Sequence, residues 1–263
     1  MDGREVLTHL REAGIFNLLI RRLILALIVA WFPLGGLSSH ATPISLVISE
    51  VFYDPTGTEP DEEWIEIFNP GAITIGLTDY KVGDEETVSG GEGMLQFPGG
   101  SISPSQVIII ANQSTAFFAT YGFNPDYEMA DSDVTVPNMA KYPNWANGSV
   151  VLNNSSDEVL LLDAGDNVVD ALSWGTSIFA FTPPAPDVPA GNSLERQFAG
   201  VDSDTALDWV NQTNPDPGGI NMVPEPGTFV LLGTAILGLS GYVWRRRKHG
   251  NQLPHSSETQ RKR

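Results

Sequence analysis

Between residues 44 and 221 the apolar positions come in short runs, broken every few residues by Gly, Pro, Asn or Asp. That rhythm predicts strands and turns rather than long helices. "ISLVISEVFY" (44–53) reads as a first strand. In "EWIEIFN" (63–69) strict alternation predicts Ile65 and Ile67 on one face and Trp64, Glu66 and Phe68 on the other. "ITIGLTDYKVGD" predicts two short strands with a kink near Gly76 to Thr78, and "QVIIIAN" (106–112), apolar throughout, suits a central strand. "EVLLLDAGDNVVDALSW" (158–174) reads as a hairpin turning at residues 163–167. One short helix is expected at "TAFFATY", capped by Ser114 and ended by Gly122. About eight strands and one helix predict an all-β fold, a β-sandwich rather than a barrel or an α/β sheet.

The two ends break this pattern. Arg21-Arg22 precede an almost wholly apolar run, Leu23 to Phe32, and then small residues at Ser39 and Ala41. This order predicts a signal peptide over 1–41, cut after Ala41, although the stretch before Arg21 is long for an n-region. At the other end Phe229 to Trp244 carries no charge and stops at Arg245-Arg246-Arg247. A helix of that length reaches ~24 Å, short of the ~30 Å hydrocarbon core, with Tyr242 and Trp244 placed to extend it into the interface. The basic cluster would stay cytoplasmic and put the preceding domain outside.

Charge sharpens the division. The 263-residue chain has a formal charge of −18, but residues 42–224 hold only Lys81, Lys141 and Arg196 against 27 acidic side chains. A surface of that sign repels phosphate backbones, so nucleic acid is excluded as a partner. There are no cysteines, and His9, His40, His249 and His255 all lie in the flanks. The central part therefore lacks the means for a thiolate or imidazole metal site, a Cys nucleophile or a Ser-His-Asp triad. No cofactor is called for, and an enzyme is not expected.

Carboxylates are what remains. Glu50 and Glu66 fall at matching points of neighbouring strands, with Asp54, Asp61, Glu62 and Glu63 between them; a bound Ca²⁺ would relieve their repulsion. The other reading pairs Glu66 with Arg196 or with backbone amides and leaves the remaining acids in water. Asp202, Asp204 and Asp208 in "VDSDTALD" have calcium-loop spacing without the EF-hand's Gly and Glu, and turn capping explains them equally well. The metal candidates are thus Glu50, Glu66, Asp202 and Asp204. Arg196, the domain's sole arginine, is expected to make a structural ion pair. Tyr121, Phe123, Tyr127, Tyr142 and Trp145 stand either as a carbohydrate platform or as core and loop anchors.

Two resemblances add to this reading. Pro224-Glu225-Pro226, the glycine-rich apolar run and Arg245-Arg246-Arg247 resemble a PEP-CTERM sorting signal. That likeness implies a Gram-negative bacterium and a membrane exosortase that cuts the signal; the tail "HGNQLPHSSETQRKR" departs from it, since such signals usually stop at the basic cluster. "LVISEVFYDPTG", "DEEWIEIFNP", "GLTDYKVGD", "VIIIAN", "TAFFATYG", "NVVDALSWG" and "NSLERQFAGVDSDTALDW", in that order, resemble the lamin-tail domain. It implies an immunoglobulin-like sandwich over roughly residues 44–221. The expected organisation is a signal peptide (1–41), a lamin-tail-like domain (42–221), a sorting signal (222–248) with its transmembrane helix at 229–244, and a basic polar tail (249–263). The expected role is a non-enzymatic exported surface or extracellular-matrix module associated with polysaccharide and membrane-anchored before sorting. The alternatives are a calcium-stabilised binding domain and a polysaccharide hydrolase using Glu50 with Glu66, since glycosidases need only two carboxyl groups.

Overall fold

The computed structural model describes residues 45–222, 233–240 and 242. Residues 1–41, with the expected signal peptide, and the tail 249–263 lie outside the described residues. Of the expected sorting signal, only 222, 233–240 and 242 are described; 233–240 and 242 are helical, and no helix among the described residues is long and apolar enough to cross a membrane.

The fold is an immunoglobulin-like β-sandwich. One sheet has six strands in the order β13-β12-β1-β2-β7-β8, with β1 Val47–Phe52, β2 Trp64–Phe68, β7 Val107–Gln113, β8 Tyr127–Ala130, β12 Ser193–Arg196 and β13 Trp209–Gln212. The other has five in the order β11-β10-β4-β5-β9, with β4 Lys81–Gly83, β5 Met94–Gln96, β9 Ala140–Lys141, β10 Asp157–Leu162 and β11 Val168–Trp174. A small third pair joins β3 Ile75–Gly76 to β6 Ser101–Ile102. The expected hairpin is β10–β11, closed by an Asp163 N–H···O Asn167 bond. Strands outnumber the expected eight because many of the added ones have only two to four residues, too few for alternation to register.

Alternation decides which side chains meet. Ile48, Val51, Ile65, Ile67, Ile108, Ile110 and Leu194 of the larger sheet face Val82, Leu95, Val159, Leu161, Leu172 and Trp174 of the smaller one in a single buried core. At its edge Tyr53 stacks on Trp174, ring centroids 4.4 Å apart. A second layer covers the larger sheet's outer face. Helix α1 (Ser114–Tyr121) lays Phe117 and Tyr121 over Phe52, Trp64, Ile109 and Ala111. Further along, Ala199 and Ile220 of the closing segment cover Val47 and Phe68.

The helix ends as expected at Gly122, which takes φ 79° and donates its N–H to Phe118 O, a position where a residue without Cβ is favoured. Its start differs. Ser114 is the first helical residue and makes no side-chain cap; the fully buried Glu128 of β8 accepts the Ser114 N–H instead. A carboxylate brought in from a neighbouring strand satisfies the positive end of the helix at least as well as a hydroxyl.

Candidate functional site

The larger sheet's outer face carries an acidic strip between its two apolar covers. Glu50 on β1 is register partner of Glu66 on β2 and of Glu195 on β12, so the three carboxylates stand side by side across neighbouring strands. All three are buried, Glu50 completely. Their hydrogen bonds come from neutral donors. Ser193 donates its hydroxyl to Glu50 Oε1, and Ser49, displaced by a bulge in β1, donates to Glu66 Oε1 at 2.6 Å. Closing-segment residues add the Gly218 N–H to Glu66 Oε2 at 2.6 Å, Gln212 Nε2 to Glu195 Oε2 at 2.9 Å and Asn221 Nδ2 to Glu195 Oε1 at 2.7 Å. Gly218 sits at φ 90°, where a side chain would be strained. Asp216 lies exposed above the strip and also accepts from Gln212.

Glu50 Oε2 has no hydrogen-bond partner. Burial, aided by the charges of Glu66, Glu195 and Asp216, pushes the Glu50 carboxyl up to about 9, against the pull of Ser193. Burial raises Glu66 to about 7, the Ser49 and Gly218 donors holding it lower than Glu50. Glu195 is raised for the same first reason.

Arg196 faces the other way. Its Nη2 meets Asp170 Oδ2 at 2.8 Å and its Nη1 meets Asp202 Oδ1 at 3.1 Å, while Nε donates to Ile48 O and the guanidinium lies 4.7 Å from the Trp209 ring centroid. The expected structural ion pair is therefore formed with Asp170, across the sandwich. The expected alternative of a Glu66–Arg196 pair is not formed, because alternation sends the two side chains to opposite faces. Glu66 bonds a backbone amide instead. Asp202 is engaged by Arg196, and Asp204, at φ 52°, donates its N–H back to Asp202 Oδ1 at 3.1 Å. The structure thus brings Glu50 and Glu66 together and holds Asp202 and Asp204 in a separate turn.

A second acidic group lies on the smaller sheet and was not expected. Glu85, Glu86, Glu92, Asp157 and Glu158, with Ser156 and Ser177, line an open polar depression of about 420 Å³. One carboxylate oxygen each of Glu92, Asp157 and Glu158 lie within 4.8 Å of one another, as do those of Glu85, Glu86 and Glu92. Burial raises Asp157 and Glu158 to about 7. Asp157 accepts the Asn153 and Glu158 N–H groups, Glu158 accepts from Ser177, and Glu85 accepts the Thr87 and Glu92 N–H groups. No local pattern pointed here, since the group joins loop 85–92 to a strand some 65 residues away.

The five aromatic candidates do not share a surface. Tyr121 accepts the Trp64 indole N–H beside α1, Tyr127 packs edge-on against Phe97, and Phe123 packs on Phe117. Tyr142 and Trp145 cover Leu160 and Leu162 on the smaller sheet. They serve as core and loop anchors.

A family model described as Lamin Tail Domain matches residues 39–176, and one described as PEP-CTERM protein-sorting motif matches residues 223–248. The first match stops before β12 and β13, short of the resemblance expected to residue 221. Among solved structures, the chain is similar to a DUF4876 family protein from Bacteroides thetaiotaomicron at 13% identity, over 70% of this chain and 73% of that one, with a TM-score of 0.43. No curated protein gives a significant match.

Proposed function

The chain belongs to the lamin tail domain family and carries a PEP-CTERM sorting motif, and from that premise we propose that it is a non-catalytic surface module holding extracellular polysaccharide. The motif makes it an exported protein, anchored transiently in the membrane and sorted by an exosortase to the cell surface. What supports reading the sandwich as sorted cargo is the order of parts: the closing segment still bonds the sheet at Asn221, whose side-chain amide donates to Glu195, and the sorting motif begins at Val223. The enzyme that reads the motif therefore acts on a segment attached directly to a folded cargo.

Binding without turnover fits the chemistry of the domain. It offers no imidazole or thiol, and Glu50 with Glu66, the pair best placed for carboxyl-only glycoside hydrolysis, is sealed from solvent on a sheet face. A polymer strand has no path to the two groups in this arrangement. Polymer contact would fall to the exposed acidic surface, with cations bridging to any anionic chain. The precursor is held in the inner membrane of a Gram-negative cell and the sorted product joins the surface or matrix.

Expression of the full chain and of a variant lacking residues 223–248, each with an exosortase, tests the sorting half. The full chain is expected at the surface and the truncated one in the soluble exported fraction; equal distribution would refute it. Co-sedimentation of the purified full chain with polysaccharides tests the binding half, with release of reducing sugar as the result that would replace it by the hydrolase reading. In a gel shift at low micromolar protein and physiological salt, no DNA complex is expected.

A further inference from the structure

We propose that the cavity between the end strands of the two sheets binds a small aliphatic carboxylate with an amide in its body, Asn112 taking the amide and Lys141 the carboxylate. The six-stranded sheet ends at β8 and the five-stranded sheet at β9. A cavity of about 330 Å³ lies between them, lined by residues of β5, β7, β8, β9 and the loop before β10. Of its lining residues Leu95, Met139 and Val150 are buried, while Lys141 and Val151 are exposed, so it runs from solvent to the core. Its volume stands at the lower end of the ~300–1,000 Å³ usual for ligand sites.

The inference begins from Asn112. It is 7% exposed, yet among the described residues its carboxamide has no hydrogen-bond partner. Alternation along β7 gives its direction. Ile108 and Ile110 belong to the core between the sheets, Ile109 and Ala111 to the cover outside. Asn112, two positions after Ile110, therefore points between the sheets, to the side where the core residues Leu95, Met139 and Val150 line the cavity. Its own backbone N–H is held by Glu63 O at 2.8 Å, so the free group is the side chain alone. A buried carboxamide normally satisfies both its nitrogen and its oxygen. The space left here for a partner is the cavity.

Lys141 points to the same conclusion. Of the sandwich's three cations, Lys81 and Arg196 are tied into ion pairs with aspartates. Lys141 makes no ion pair among the described residues, and its Nζ donates only to Asn147 O at 3.4 Å. A domain crowded with acids thus keeps one unpaired cation, and keeps it at the exposed end of an apolar cavity.

Walls and polar groups together define the ligand. Leu95, Met129, Met139 and Val150 form aliphatic and thioether walls, and methionine adapts to an irregular aliphatic body. No described aromatic ring lines the cavity, so a sugar ring has nothing to stack on. A carboxamide offers a donor and an acceptor, the complement of a secondary amide, and an ammonium favours a carboxylate. At ~30 Å³ per water-sized volume there is room for roughly a dozen non-hydrogen atoms. An N-acyl amino acid with a branched side chain has this size and both groups. The site stands whether or not the domain also holds polysaccharide.

The test uses the full chain, purified in detergent with methyl-labelled methionine, because Met129 and Met139 line the cavity while Met94 packs against Leu160 elsewhere on the smaller sheet. Titrated with N-acetyl-leucine, the Met129 and Met139 methyl resonances are expected to shift together and saturate with a Kd of ~10⁻⁴ M, the Met94 resonance staying still. N-acetyl-leucinamide, which lacks the charge, and 4-methylpentanoate, which lacks the amide, should each bind about tenfold more weakly. Lys141→Met should erase the preference for the acid over its uncharged amide. Asn112→Leu should abolish binding and leave Tm level or higher, since no hydrogen bond within the fold is lost. Methyl resonances unmoved at ~10 mM ligand, a hundred times that Kd, would overturn the proposal, as would a Met94 shift as large as the other two. So would unchanged affinity in Lys141→Met, an exposed change that serves if Asn112→Leu does not fold.

Discussion

Glu195 and Arg196 are neighbours on one strand, yet their charges meet opposite circumstances. Arg196 points into the sandwich and finds Asp170 at 2.8 Å, Asp202 at 3.1 Å, two backbone carbonyls and the Trp209 ring. Glu195 points outward and finds Glu50, itself beside Glu66. Both regions are buried, so desolvation acts on each. It is opposed by counter-charge on the inner face, where burial still raises Asp170 to about 7 against the pull of Arg196, and only by neutral hydrogen bonds on the outer one, where Glu50 is raised to about 9. The inner cluster behaves as a rivet between sheets, and the outer strip as a place where charge is still wanted.

Removing the rivet should have the largest effect. Arg196→Met keeps an apolar stem but leaves Asp170, almost wholly buried, without its partner. Breaking a buried pair from one side typically costs about 3–5 kcal/mol, measurable by urea denaturation. Arg196→Met with Asp170→Asn should recover much of the loss, because the orphaned charge is then gone. A cost below about 1 kcal/mol for the single change would mean that the inner charges are not truly compensated, and the contrast between the faces would fail.

The outer strip should respond with the opposite sign. Glu50 and Glu66 have folded-state pKa values of about 9 and about 7, above the ~4.3 of an unfolded glutamate. Groups raised in this way contribute stability that is fully present below pH ~4.3 and is lost as pH rises through the folded values. In EDTA, Tm should therefore fall between pH 5 and pH 9. Glu50→Gln should flatten that fall and, at pH 8, stabilise the protein by ~1–2 kcal/mol. A Tm that climbs over this range would show the strip ionised and satisfied in the folded state.

How far these regions can be read from sequence depends on sequence distance. The face split of β2, with Ile65 and Ile67 inward and Glu66 outward, follows from alternation alone and is what the structure shows. The pairing of Glu50 with Glu66 was legible because β1 and β2 are consecutive. Glu195 and Asp216 were not legible, since a four-residue strand and a loop more than a hundred residues on give no local signal. Glu128 capping α1 and the Glu92–Asp157–Glu158 group are the same case. The Glu66–Arg196 alternative had a local argument against it. Leu194 is apolar and two positions before Arg196, so both belong to the core face, opposite Glu66.

The smallest effect is expected at a contact that looks, by distance, as good as the rivet. Lys81 Nζ lies 2.6 Å from Asp166 Oδ1 in the β10–β11 turn, also donates to Asp163 O at 3.0 Å, and sits 4.8 Å from the Tyr142 ring centroid. What differs is the partner's surroundings: Asp166 is 38% exposed where Asp170 is 2%. When Lys81 is replaced by Met, Asp166 keeps its water and the hydroxyl of Tyr142 at 3.0 Å, so no buried charge is stranded. The expected cost is ~1 kcal/mol or less by urea denaturation, and it should shrink further in salt. A loss as large as that of Arg196→Met would mean that contact distance, rather than the exposure of the charge left behind, sets the value of an ion pair in this sandwich.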